Sequence, residues 1–72
     1  MKADNDNGPR LMAPKEAALA TSLSRPLLSL MAAEGHFPTP VRLGERRIAF
    51  VRSEVDAWID AWIDARIAAR AA

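Results

Sequence analysis

Apolar positions change their spacing several times along this chain, and each change marks an element. Residues 1–9, MKADNDNGP, offer almost nothing to bury, and their Asn, Asp, Gly and Pro predict a disordered N-terminal tail. The remaining 10–72 read as one domain. Pro14 stands where a first-turn proline is tolerated, and Lys15-Glu16-Ala17-Ala18-Leu19-Ala20 is strongly helix-forming. Leu11, Ala18 and Leu19 are expected to share the buried side of this helix, which should stop near Thr21-Ser22. A short link follows, as a helix-turn-helix requires. Ser24 then supplies an N-cap, with Arg25 and Pro26 in the first turn of a second helix. Leu27, Leu28, Leu30 and Met31 are nearly continuous, so this helix is apolar around much of its circumference. Gly35 takes the left-handed conformation that ends it.

Pro38 and Pro40 force an extended path, after which the apolar period drops to two. Val41 and Leu43 alternate with Arg42, and Ile48 and Phe50 alternate with Arg47 and Ala49. That pattern predicts a two-stranded hairpin about a Gly44-Glu45 turn, with one apolar face and arginines on the other. Ser53 begins the last helix, and Asp56 three residues on makes an acidic variant of the capping box. The repeat DAWI, DAWI, DARI follows. On a helix its Trp row (Trp58, Trp62) and Ile row (Ile59, Ile63, Ile67) lie side by side and join Val55 in one stripe. Trp58 is expected to cap the core. Trp62, one turn beyond the compact body, is the candidate interface residue.

Helix, turn, helix, basic hairpin, helix is the order of a small winged helix-turn-helix domain: mainly α, three helices plus a two-stranded wing, here with an extended C-terminal helix over the end of 10–72. Charge sharpens the reading. The net charge of +1 hides an asymmetry, with seven basic residues against three acidic from Arg10 to Arg52, and two against four from Ser53 onward. A basic body with an acidic last helix suits a polyanion on one side. The absence of cysteine excludes disulfides and thiolate metal sites. A lone His36 and an Asp row along one unbroken helix give no metal site, and no cofactor is expected. There is no Gly-rich phosphate loop and no nucleophile paired with a base, so binding is expected, not catalysis. No signal peptide and no membrane-length apolar run are seen, which predicts a cytoplasmic protein.

With Phe37-Pro38, Val41-Arg42-Leu43-Gly44, Arg46-Arg47, Phe50 and Ser53-Glu54-Val55-Asp56-Ala57-Trp58-Ile59 in place, the chain resembles AlpA-like phage regulatory proteins. These belong to the wider winged-helix set of MerR-type DNA-binding domains and phage excisionases, and the resemblance spans roughly Leu11 to Ile67. It implies a transcriptional regulator or excision factor of a prophage or integrated element. The helix from Ser24 to Glu34 would enter the major groove of double-stranded DNA, and the hairpin would act as a wing. The implied contacts are Ser24, Arg25, Pro26 and Leu27 at the start of the helix and Arg42, Arg46 and Arg47 on the wing, and Ser29 and His36 are further candidates beside the DNA. A domain this small would load as a dimer or cooperative oligomer, and an excision factor would also work with an integrase. The chain departs from the family pattern at Ser29-Leu30, where a Tyr-Arg-like polar pair is usual, and at Ser22, where Gly is often found. Ser29 and Leu30, together with Trp62, motivate the competing reading, a protein-interaction (dimerisation) module that keeps the fold with weak or no DNA binding.

Overall fold

The structure, a computed structural model, describes residues 9–71. Its elements in chain order are β1 (Leu11–Met12), α1 (Pro14–Thr21), α2 (Arg25–Ala33), β2 (Val41–Arg42), β3 (Ile48–Val51) and α3 (Arg52–Ala71). Three helices surround a small antiparallel sheet, compatible with a winged helix-turn-helix. Of the segment expected to be disordered, residues 1–8 lie outside the described residues. The Pro9 carbonyl accepts a hydrogen bond from Arg52 Nε at 2.7 Å.

Local chemistry sets the ends of α1 and α2. Pro14 opens α1, and the Glu16 carboxylate reaches back to accept from the Ala13 amide at 3.2 Å. That is half of a capping box, because alanine has no side-chain acceptor for the reciprocal bond. At the other end Thr21 Oγ1 donates to the Ala17 carbonyl at 2.8 Å and accepts from the Leu23 amide at 3.3 Å. Ser22 then turns the chain in a left-handed conformation, φ 65°. Glycine is the residue this backbone favours. Ser24 caps α2 as expected, its hydroxyl accepting from the Leu27 amide at 3.2 Å. The helix ends in a Schellman motif, with His36 N bonded to Met31 O at 2.8 Å and Gly35 N to Ala32 O at 3.2 Å. Gly35 carries the positive φ of 81° that this motif needs.

The sheet differs from the expected two-stranded hairpin. β1 adds a third strand, in the order β1-β3-β2, pairing Leu11 with Val51 and Met12 with Phe50. Leu11 is therefore a strand residue, not part of the buried side of α1. That side is Ala17, fully buried, with Ala18 partly so, whereas Leu19 is 75% exposed. The wing register also corrects the expected faces. Val41 pairs with Ala49 and Arg42 with Ile48, and Leu43 N bonds Arg47 O at 2.8 Å. Cross-strand partners point the same way. Arg42 thus shares a face with Ile48 and Phe50, and Val41 and Leu43 share the other with Arg47 and Ala49. A shift of one residue from the Gly44-Glu45 turn exchanges the faces of one strand.

α3 begins at Arg52, one residue before the expected Ser53, which lies inside the first turn. The Arg52 amide donates to the Arg10 carbonyl at 2.8 Å, and its guanidinium lies 3.6 Å from Glu16. Arg52 is thus a clamp between β1, α1 and α3. The core is Met12, Ala17, Leu28, Phe37, Phe50 and Val55, with Leu23, Met31, Trp58 and Ile59 packed against it. Phe37 joins the halves: its ring meets Phe50 edge-on at 5.2 Å and Trp58 at 4.9 Å. The indole N–H of Trp58 donates to the His36 carbonyl at 2.9 Å, fixing the end of α2 to α3. From Ala61 to Ala69 every α3 residue is exposed, so this long helix leaves the body after its first turns.

Candidate nucleic-acid interface

A basic surface useful to a polyanion needs cations that are exposed and not already neutralised. Arg25 opens α2, is exposed, and has no acidic residue beside it in that first turn. It borders a shallow depression shared with Lys15 of α1 and with Ser22 and Leu23 of the link between the helices. Arg42, Arg46 and Arg47 stand exposed on the wing. Among the described residues only Arg52 and Glu16 form an ion pair, so none of these arginines has a carboxylate partner within 4 Å. The fixed positive charge of the helix N-terminus adds to that of Arg25. This arrangement costs stability unless solvent or an anion offsets it.

The wing borders two helices. Its loop, Leu43, Arg46 and Arg47, borders the start of α1 at Ala13, Pro14 and Glu16. Its base meets the second half of α2, where Ser29 and Ala33 line a cleft with Thr39, Pro40 and Ile48. The wing thus has α1 beside its loop and α2 beside its base. The two prolines before β2 shape this approach by holding the link extended.

Each candidate contact residue has a definite place. Ser24, Arg25, Leu27 and Ser29 are all exposed along α2, although the Ser24 hydroxyl is engaged as the helix cap. Arg42, Arg46 and Arg47 are all on the wing, with Arg42 and Arg47 on its opposite faces. His36 is exposed but stands after the helix, and its backbone serves the Schellman motif and the Trp58 indole. Arg52, counted with the basic body by charge alone, is instead engaged by Glu16 and the Pro9 carbonyl. That Lys15 lines the same depression as Arg25 had no sequence signal, because the two share a surface only once α1 and α2 pack.

Trp62 is 62% exposed and touches Trp58 edge-on at 6.0 Å. It sits on the rim of an apolar depression formed by Leu23, Met31, Trp58, Ile59 and Ile63. No helix among the described residues is long and apolar enough to cross a membrane.

The chain has no match among curated proteins and none among solved structures. One family model matches over residues 10–67, from β1 through most of α3. By that match the chain belongs to the family of the prophage CP4-57 regulatory protein, AlpA.

Proposed function

We propose that this protein binds double-stranded DNA selectively, as a transcriptional regulator or excision factor of a prophage or integrated element in the cytoplasm. α2 docks in the major groove and the wing arginines grip the adjacent phosphates. The observation that carries this reading is the set of exposed arginines without carboxylate partners, Arg25 at the start of α2 and Arg42, Arg46 and Arg47 on the wing. Phosphate contacts give position and salt-sensitive affinity, and the helix gives base choice. Membership of a prophage regulatory family supports the same conclusion. One domain covers a short half-site, so useful selectivity calls for two copies or cooperative loading. In an excision role the bound copies would bend DNA and assist an integrase.

The double variant Arg46→Ala/Arg47→Ala tests the wing. Removing two phosphate contacts should weaken binding to all duplexes and reduce the slope of log K against log salt by about 2. Unchanged affinity and slope would remove the wing from the interface.

The outer part of α3 favours a second activity, self-association. Trp62, Ile63 and Ile67 are 62%, 46% and 54% exposed. Isolated helices of fewer than about 12–15 residues are marginal in water, so the projecting end of α3 gains from a partner helix. Trp62→Ala should then lower the dimer fraction in sedimentation velocity while leaving the circular dichroism intact. A wild type that stays monomeric across micromolar concentrations would refute this.

A further inference from the structure

The outward side of α2 is unusual for a helix meant to read base edges. Its buried side is Leu28, with Met31 and Ala32 partly covered. At 100° per residue the opposite side centres on Pro26, Ser29, Leu30 and Ala33, with Leu27 at one margin and Arg25 at the other. Leu30 is 54% exposed and Leu27 39%. Residues three and four apart are surface neighbours on a helix, so Pro26, Leu27 and Leu30 form one apolar patch. The free hydrogen-bonding side chains on this side are Ser29 and, at the start, Arg25, since Ser24 is spent on the cap. Leu30 belongs to the nearly continuous apolar run of α2, and its exposure excludes it from the core.

An apolar patch on a helix that starts at an unpaired arginine suits a surface that is anionic at its edges and apolar within. The major groove of duplex DNA has that chemistry, with phosphates along its rims and the thymine C5-methyl groups on its floor. Resting on the DNA-binding reading above, we propose that Leu27 and Leu30 are specificity-determining residues that read thymine methyl groups. Base choice then comes from methyl contact on the α2 surface, supplemented by Ser29 and Arg25, and bidentate amide or guanidinium readout from mid-helix has no part in it. The arginines supply the affinity; the leucines supply the preference.

The test uses the full-length protein and a duplex selected by it from a random pool. Each thymine of that duplex is replaced in turn by deoxyuridine, which keeps the base pair and removes only the methyl. Anisotropy at fixed salt should show affinity falling about fourfold at each contacted position, the worth of one buried methyl. Leu30→Ala, a change on an exposed helix face, should bind the thymine and uracil duplexes equally at its contacted position and keep the wild-type salt slope. Tight wild-type binding that ignores every methyl overturns the inference and leaves DNA binding standing, as does a pool that yields no preferred sequence. A Leu30→Ala variant that retains the wild-type preference at every position also overturns it. A wild type that binds no duplex, yet dimerises in a way that Leu30→Ser abolishes, overturns both readings and gives the face to a second copy of the chain.

Discussion

Trp58→Ala removes several contacts at the point where α3 joins the rest of the domain. The indole packs edge-on against Phe37 at 4.9 Å and Trp62 at 6.0 Å, and its N–H donates to the His36 carbonyl at 2.9 Å. Truncating a buried aromatic costs about 3–5 kcal/mol. Trp58 is only half-buried, which places it at the low end, about 3 kcal/mol. The hydrogen bond accounts for about 1 kcal/mol of that; the His36 carbonyl is exposed and regains water. Each aromatic pair adds about 0.5–1.5 kcal/mol beyond area burial. A chain of 72 residues has about 4–11 kcal/mol of total stability at ordinary values per residue, so the loss is a large share. Urea unfolding followed by far-UV circular dichroism measures it. Trp58→Phe, which keeps the ring and loses the N–H, should recover most of the stability. A Trp58→Ala protein within 1 kcal/mol of wild type would show that α3 is not docked through this indole.

Other expected outcomes follow from single contacts. Ser22→Gly relieves a left-handed residue (φ 65°) and should stabilise by about 0.5–1 kcal/mol, raising Tm by several degrees in thermal melts; a lower Tm would contradict the assigned turn. Glu16→Ala loses both the Ala13 amide bond and the Arg52 pair and should cost about 1 kcal/mol in urea unfolding. Glu16→Gln keeps the acceptor and should cost under about 0.5 kcal/mol, because the ion pair is partly exposed and screened by solvent. Equal costs for the two would assign the effect to charge in place of capping. Leu19→Lys, on a side chain 75% exposed, should leave stability within about 0.5 kcal/mol, and a large loss would restore Leu19 to the core.

What the sequence made legible is local. Ser24 and Gly35 announce the ends of α2 through cap chemistry that depends on a few neighbouring residues, and both hold. The order of helices and wing is likewise written in apolar spacing. β1 escaped because two residues carry no period, and their pairing with Val51 and Phe50 spans most of the chain. The wing faces were exchanged because alternation fixes which residues share a side within one strand, not how two strands register. Arg52 looked like part of the basic surface because a charge count cannot see Glu16 and the Pro9 carbonyl arriving from 36 and 43 positions away. For the candidate site, the arginines were legible from composition. The apolar face of α2 was not, since a run of leucines reads as core until Leu28 is seen buried and Leu30 exposed.

The central claim, that this surface binds duplex DNA with sequence preference, is tested most directly by anisotropy. The wild-type protein is titrated against duplex DNA from upstream of its own gene and against a scrambled duplex, each at several salt concentrations. The account predicts tighter binding to the native duplex and a log K that falls linearly with log salt. Failure to bind either duplex at low salt, or affinity equal for both, would contradict it.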